Sequence, residues 1–198
     1  MLILGLTGNI GCGKSSISDI FKCKNIKVID ADVISREIYE DKSLLDIISS
    51  TFGCEVINKE GKLDRKKLSY IVFNDNEKLV KLNSITHPVI KQKIIDEIKR
   101  YKKNEIIVVD AALLIEGKFL DIVDKTLVVV CDREIQIDRI QKRDKCSREE
   151  VISKINAQMQ QEEKIKYADY IINNSESMAE LRQKIEIFLD EVKENYFE

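Results

Sequence analysis

The residues with the clearest chemistry lie near the start of the chain, where Gly8 to Ser15 reads GNIGCGKS and fits the pattern G-x-x-x-x-G-K-[ST]. A loop of this kind wraps backbone N–H groups around phosphates at a helix N-terminus. In this pattern Lys14 reaches the β- and γ-phosphates and the Ser15 hydroxyl holds Mg²⁺. The alternative is a glycine-rich turn with a surface lysine. The motif predicts nucleotide binding, but alone it does not separate a kinase from a GTPase or an ATPase.

Acidic residues that follow apolar runs are the next candidates. Asp32 comes shortly after the run Ile26–Ile29, and Asp110 follows Glu105–Val109 in the manner of a Walker B strand. Carboxylates at the carboxyl ends of parallel strands face the ligand crevice of an α/β sheet. We therefore expect Asp110 to help hold Mg²⁺ and Asp32 to act as a base toward an acceptor hydroxyl. A competing interpretation makes Asp32 the N-cap of a helix that starts at Val33.

Cationic side chains complete the set. Arg36 lies one helical turn after Asp32, and either pairs with it or contacts a substrate. Arg139 and Arg143 share one face of a predicted helix. They would neutralise charge on a transferring phosphoryl group, or else belong to a solvated charged face. His87, the single histidine, precedes the single proline and is either a helix-boundary residue or a functional one.

Hydrophobic patterning predicts the elements that must position these residues. Short apolar runs without polar alternation are typical of parallel strands covered on both faces. These runs are Met1–Leu6, Ile26–Ile29, Glu105–Val109, Thr126–Val130 and Tyr170–Ile172.

Helical periodicity dominates from about residue 43 to residue 103 and again after residue 132. The first block is predicted to hold helices over Ser43–Phe52, Arg65–Phe73 with Asp64 as N-cap, Asn76–Ile85, and Pro88–Tyr101. The second block is predicted to hold three helices. The first is Arg133–Lys142, capped by Asp132. The second begins at the capping box Ser147-x-x-Glu150 and carries Gln158, and the third runs from Ser177-x-x-Glu180 to Lys193.

Length and composition exclude several classes. The 198 residues are 43% hydrophobic and 34% charged, which fits a protein with one globular core. The net charge is −2, so the protein has no overall positive field that would attract nucleic acid. We expect neither a membrane span nor a secretion signal. Five cysteines without metal-ligand spacing predict reduced thiols in a cytoplasmic protein. Cys12, inside the phosphate loop, is either oxidation-sensitive or simply small enough to fit.

The candidate residues together favour a small-molecule kinase. A GTPase should show the guanine-reading motif N-K-x-D, which the sequence lacks. Two alternatives stay open, namely a nucleoside monophosphate kinase or a similar phosphotransferase, and a nucleotide-binding module without catalysis.

The chain resembles the dephospho-CoA kinase family over about residues 1–175. The motifs that carry the resemblance are the phosphate loop, Asp30-Ala31-Asp32 with Arg36, Leu63-Asp64-Arg65, Leu82-Asn83-Ser84-Ile85-Thr86-His87-Pro88, Asp110–Glu116, Arg139 with Arg143-Asp144 and Gln158, and Ala168–Asn174. Four positions depart from the family pattern, with Asn9 for Gly, Cys12 for Ser, Ala112 for Pro and Ile115 for Phe.

This resemblance implies a three-layer α/β P-loop fold with a central parallel five-stranded sheet. The nucleotide-binding core would comprise residues 1–34, 104–132 and 168–198, with a helical CoA-binding insertion at 35–103 and a lid at 133–167. The implied reaction moves the γ-phosphoryl group of ATP to the ribose 3′-hydroxyl of dephospho-CoA, giving CoA and ADP. The implied partners are these small molecules with Mg²⁺, and no nucleic acid, membrane or obligate protein partner is expected.

The resemblance also implies residue roles. Asp32 would be the general base, and Arg139 the leading lid arginine with Arg143 second. Ser15 and Asp110 stay the metal-side residues that the loop motif and the strand end predict. The acceptor side would include Asp32, Arg36, Arg65 and His87. The ATP-binding residues would be Gly8, Asn9, Ile10, Gly11, Cys12, Gly13, Lys14, Ser15, Ser16, Arg139 and Arg143.

Overall fold

The structure, a computed structural model, describes residues 1–73, 75–101 and 105–197. The expected boundary between residues 103 and 104, and residue 198, lie outside these ranges. The chain divides into two compact units, one formed by residues 1–29 and 98–198 and the other by residues 30–97.

A five-stranded sheet in the order β2-β3-β1-β4-β5 confirms the predicted fold class. Its strands are β1 (Leu2–Gly8), β2 (Lys27–Asp30), β3 (Ile106–Asp110), β4 (Lys125–Val130) and β5 (Tyr170–Asn173). Strand β1 is parallel to β3 and β4, and β4 is parallel to β5. The register sets Leu6 opposite Asp110 and Gly8 opposite Val129, so the carboxyl ends of these central strands meet at one edge.

Helices account for most of the remaining chain. They are α1 (Lys14–Cys23), α2 (Ala31–Glu37), α3 (Lys42–Phe52), α4 (Arg65–Phe73), α5 (Asn76–Ile98), α6 (Arg133–Asp144), α7 (Arg148–Asn156), α8 (Gln161–Ile165) and α9 (Met178–Phe197). Within the described ranges, none of them is long and apolar enough to cross a membrane.

The core of the first unit joins the central strands to α1 and α9. Leu4 and Leu127 from the sheet, Phe21 from α1 and Ile185 from α9 belong to one cluster and are each fully buried. Burial of such side chains stabilises a fold by about 1.5–3 kcal/mol each. Because β1 and α1 are both anchored in this cluster, the loop that joins them is held at both ends.

Local capping signals in the sequence are confirmed at three helices, one of which is α9, where Ser177 and Glu180 exchange side-chain-to-backbone hydrogen bonds. Oδ1 of Asp64 accepts hydrogen bonds from the backbone N–H groups of Lys66 and Lys67, as an N-cap residue does. Ser147 and Glu150 form the reciprocal capping box that begins α7. These signals are local, so they can be read without knowing the tertiary structure.

The prediction of two helices around Pro88 is wrong, because α5 runs without a break from Asn76 to Ile98. Proline inside a helix costs about 3 kcal/mol through the lost N–H donor and the steric clash. Pro88 itself is exposed, whereas a stripe at four-residue spacing along α5 is buried. The stripe consists of Leu82, Thr86, Ile90, Ile94 and Ile98. Burial of its four aliphatic side chains outweighs the cost of the proline. His87 is therefore an internal helical residue and not a boundary residue.

Three further boundaries differ from the prediction. Helix α2 begins at Ala31, and its N-cap is Asp30, so the interpretation of Asp32 as the cap is wrong. Helix α7 ends at Asn156, which leaves Gln158 beyond it and not within it. Helix α9 extends to Phe197, about one turn past the expected end, because Val192 is fully buried and keeps the last turns packed.

Candidate active site

The phosphate loop takes the backbone path that its glycines predict. Gly11 and Gly13 have φ values of 81° and 86°, in the left-handed region that a residue with a Cβ rarely adopts. Gly13 is the N-cap of α1, and a Cβ there would lie 2.1 Å from Nδ2 of Asn174. Ser16 N–H already donates to the Gly13 carbonyl in the first turn of α1. The strand–loop–helix context that the motif requires is therefore present.

A cavity of about 460 Å³ opens in front of this loop. It is lined by the loop from Gly8 to Gly11, by Lys14 and Ser15, and by Arg139 and Arg143 of α6. The half-buried Arg139 donates from Nη1 to the Asn174 carbonyl at 2.8 Å, which fixes its guanidinium beside the loop. The structure thus brings the predicted loop and both predicted arginines to one cavity.

Arg143 differs from Arg139 in its surroundings. Its exposed guanidinium makes two hydrogen bonds to the carboxylate of Asp144, at 2.7 and 3.2 Å. The hydrogen bond from Arg143 and a second one from Lys154 hold the pKa of Asp144 well below its usual range. An anion in the cavity would compete with Asp144 for Arg143, whereas the hydrogen bond of Arg139 goes to a main-chain carbonyl.

The predicted metal-side carboxylate, Asp110, lies at the end of β3 and is 5% exposed. Its Oδ1 contacts the Lys14 ammonium and its Oδ2 accepts from the Ser18 hydroxyl. The Ser15 side chain is exposed at the start of α1. A hydroxyl and a carboxylate are oxygen donors of the kind that Mg²⁺ prefers, and Mg²⁺ commonly completes its shell with water and substrate phosphates. The donor set therefore fits Mg²⁺, although the described ranges hold no group of three or more His, Cys, Asp or Glu residues that could by itself bind a metal ion.

Asp32, the predicted base, lies in the first turn of α2 in the second unit, and its side chain is exposed. The neighbouring Asp30 accepts backbone hydrogen bonds from Asp32 and Val33 at 2.9 and 3.0 Å. The two aspartates consequently have different structural roles at the start of α2. Asp30 caps the helix, and this cap orients the backbone of Asp32.

The other predicted acceptor-side residues also belong to the second unit. Arg65, at the start of α4, donates from Nη2 to the Arg36 carbonyl at 3.0 Å, and its guanidinium lies 5.7 Å from the centre of the Tyr39 ring. Arg36 and Arg65 are thus brought together. His87 is half-buried within α5, and this burial lowers its pKa below the ordinary 6.5. A histidine of this kind is mostly neutral at neutral pH.

Comparison with known proteins identifies the family. The family model described as dephospho-CoA kinase matches residues 2–180. A dephospho-CoA kinase of Fusobacterium nucleatum is 43% identical over 192 residues, which cover 97% of this chain and 99% of that protein. The chain belongs to the dephospho-CoA kinase family. It is accordingly an ATP-dependent kinase.

Solved structures agree with this assignment. A dephospho-CoA kinase from Campylobacter jejuni is 34% identical, with a TM-score of 0.75 and coverage of 98% of both chains. Shikimate kinase from Acinetobacter baumannii is 16% identical with a TM-score of 0.58, covering 100% of this chain and 96% of that one. At that identity the second likeness concerns the fold alone.

Polar side chains also brace the phosphate loop, and two of them, Gln136 and Gln158, are residues that sequence reasoning did not place at the site. Gln158 accepts from the Ile10 N–H at 2.9 Å, and Gln136 donates to the Ile10 carbonyl at 2.6 Å. Asn9, a departure from the family pattern, donates to the Met159 carbonyl at 2.7 Å. Gln158 belongs to one of the motifs that carry the family resemblance, so the sequence could have indicated it. Gln136 belongs to no such motif, and the sequence shows only that it lies one helical turn before Arg139. Amides from α6 and from the segment after α7 therefore hold the phosphate loop from outside.

Proposed function

We propose that this kinase transfers the γ-phosphoryl group of ATP to the ribose 3′-hydroxyl of dephospho-CoA, with the cavity before the phosphate loop as the ATP site. The observation that carries the proposal is the convergence of loop amides, Lys14, Ser15 and Arg139 on one cavity. Phosphoryl transfer depends mainly on positioning and on charge neutralisation. Each of these groups is suited to one of those tasks.

Lys14 would bind the β- and γ-phosphates, together with backbone N–H groups of the loop. Its ammonium contacts Asp110, so the phosphates would compete with that carboxylate for the same cation. Arg139, fixed beside the loop by Asn174, would stabilise charge that develops on the transferring group. Arg143 would contribute once it exchanges Asp144 for phosphate oxygen.

Ser15 and Asp110 would hold Mg²⁺, which supplies neutralisation of phosphate charge when bound. Asp110 is also bound to Ser18, and this hydrogen bond orients the carboxylate toward Lys14 and the start of α1.

Asp32 would act as the general base that accepts the proton of the 3′-hydroxyl. Its side chain is exposed to solvent, and the Asp30 cap positions the backbone that carries it. Arg36, Arg65 and His87 would contact dephospho-CoA. Arg65 has an aromatic neighbour in Tyr39, and a flat guanidinium of this kind suits binding of a phosphate group.

We further propose that the helical segment 35–103 binds the CoA moiety and that residues 133–167 form a lid over ATP. A cytoplasmic location is consistent with five cysteines that are all free thiols in the structure.

The test is ADP release from Mg-ATP with dephospho-CoA, AMP, adenosine and shikimate offered separately. We expect release with dephospho-CoA alone and CoA in the same reaction. Release with AMP instead would replace the acceptor assignment with that of a nucleoside monophosphate kinase. ATP binding without release on any acceptor would contradict catalysis and favour a binding module.

A further inference from the structure

Two buried thiols meet beneath the phosphate loop. Sγ of Cys12, in the loop, lies 3.3 Å from Sγ of Cys131, which follows the last residue of β4. Cys12 is fully buried and Cys131 is 3% exposed. The pair lies 119 residues apart in sequence, so only the pairing of β1 with β4 brings the two sulfur atoms together.

From this geometry we infer that Cys12 and Cys131 are a modification site, at which a peroxide converts the dithiol to a disulfide that blocks ATP binding. The inference goes beyond the proposed function, since neither phosphoryl transfer nor acceptor binding needs a thiol.

The surroundings of the pair make Cys131 the attacking sulfur. A hydrogen bond with Cys12 lowers the pKa of Cys131 against the opposing effect of burial, and the nearby Arg139 guanidinium acts in the same direction. The same hydrogen bond, together with burial, raises the pKa of Cys12. Of the two thiols, Cys131 therefore ionises first. Cys131 lines an open cavity of about 260 Å³, which gives a small oxidant such as a peroxide a route to its sulfur. A thiolate that an oxidant reaches next to a second thiol is the arrangement in which oxidation ends in a disulfide.

The chemistry is balanced with hydrogen peroxide as the oxidant. The Cys131 thiolate attacks one peroxide oxygen, an S–O bond forms as the O–O bond breaks, and the leaving hydroxide takes a proton to become water. Cys12 then attacks the Cys131 sulfur, the S–S bond forms, and the S–O oxygen leaves as a second water. Two thiols and one peroxide give one disulfide and two waters, and an added dithiol reverses the change.

Closing the bond must move Cys12, Cys131 or both. A disulfide has an S–S distance of about 2.05 Å, so the two sulfur atoms must approach by about 1.3 Å. Cys12 is held at its carbonyl by Asn174 and at its N–H by the Asn9 carbonyl. Cys131 is held at its N–H by Oε1 of Gln161, which also accepts from the Cys12 thiol at 3.6 Å. The approach therefore works against these hydrogen bonds, and the proposed block of ATP binding requires that it displace the neighbouring loop N–H groups that would bind phosphate.

The experiment uses the full chain with Cys23→Ser, Cys54→Ser and Cys146→Ser, which removes the remaining thiols. Cys23 and Cys54 are exposed and Cys146 is half-buried, and none of the three lines the cavity before the phosphate loop. The reduced protein is treated with hydrogen peroxide. Peptide mass spectrometry then looks for a Cys12–Cys131 linked peptide, and calorimetry measures the Kd for ATP before and after treatment.

We expect the linked peptide to form, the Kd for ATP to rise by about tenfold or more, and dithiothreitol to reverse both. The variant Cys131→Ser in the same background should form no linked peptide. Peroxide treatment should leave its Kd for ATP at the value measured before treatment. If this variant does not fold, Cys131→Ala provides the same comparison.

Two outcomes would overturn the inference. One is treatment that yields no linked peptide, whatever happens to ATP binding, and the other is a linked peptide with an unchanged Kd. Neither outcome bears on the proposed function, which is judged on the untreated protein with dephospho-CoA.

Discussion

The side-chain amide of Asn174 donates a hydrogen bond of 2.8 Å to the carbonyl oxygen of Cys12, across 162 residues of sequence. Asn174 is 5% exposed and directly follows β5, so the last strand of the sheet is tied to the phosphate loop next to β1. Its own carbonyl accepts from Arg139. One residue therefore positions both the loop and the arginine beside it.

Asn174→Ala should weaken ATP binding. Loss of the amide leaves the buried Cys12 carbonyl without this donor, at a cost of about 1–3 kcal/mol. If the loop relaxes in response, the Kd for ATP should rise by about five- to a hundredfold. Calorimetric titration with Mg-ATP measures this. The neighbouring Asn173→Ala is a matched control, because Oδ1 of Asn173 accepts from the nearby Ser175 N–H. Equal Kd values for the two variants would contradict the role of Asn174.

Asp32→Asn should lower kcat by about a hundredfold or more, because the amide cannot accept the proton of the acceptor hydroxyl. The Kd for ATP should stay close to that of the unmodified enzyme. Steady-state ADP release with dephospho-CoA measures kcat. Asp46→Asn, an exposed carboxylate on α3, provides the control for loss of one negative charge. A kcat for Asp32→Asn equal to that of the control would exclude Asp32 as the base.

Lys164→Met should destabilise the fold by about 3–5 kcal/mol. Lys164 is 1% exposed, its ammonium lies 2.9 Å from Oε1 of Glu116, and it donates to the Ala112 carbonyl at 2.9 Å. Both carboxylate oxygens of Glu116 are buried, so removal of the cation leaves a buried charge without its partner. Urea unfolding monitored by circular dichroism measures the change.

The double variant Lys164→Met/Glu116→Gln is the control for this pair. It removes both charges, so much of the lost free energy of unfolding should return. If the free energy of unfolding of Lys164→Met falls by less than about 1 kcal/mol, the pair does not stabilise the fold as its burial predicts.

Acidification should destabilise the kinase partly through His87. Burial lowers the pKa of His87 below the ordinary 6.5, so the unfolded chain binds a proton more readily than the folded one. The contribution of His87 to stability is complete above pH 6.5 and is lost as the pH falls from 6.5 toward the lower, folded pKa.

His87→Gln removes this contribution, so its free energy of unfolding should fall less between pH 7.5 and pH 5.5 than that of the unmodified protein. Urea titrations at the two pH values measure the difference. An identical decrease in both proteins would contradict the expected shift, and His87 is the single histidine, so no other imidazole can mask the result.

The residues around Pro88 show where prediction from sequence fails. Proline is a local signal that disfavours an unbroken helix, and for this reason it predicts a new helix at Pro88. The side chains that form the buried stripe from Leu82 to Ile98 recur at every fourth residue on both sides of the proline, and this periodicity can also be read from the sequence. The two signals conflict, and only the amount of apolar surface buried in the folded protein decides between them.

The sequence by itself determined the features that depend on local chemistry. The phosphate loop, the parallel strands, the caps at Asp64 and Ser147, and the family follow from residue types at short spacings. Spacing alone also indicated that Arg139 and Arg143 share a helix face, because four residues make about one turn.

Only the tertiary structure decided which distant residues meet the loop. The contacts of Gln158 with Ile10, of Asn174 with Cys12, and of Cys131 with Cys12 each span more than a hundred residues. Such contacts depend on strand order and register, which bring the ends of β1, β4 and β5 to one edge of the sheet. Strand order arises from packing of the whole chain and leaves no periodic signal at the residues it brings together.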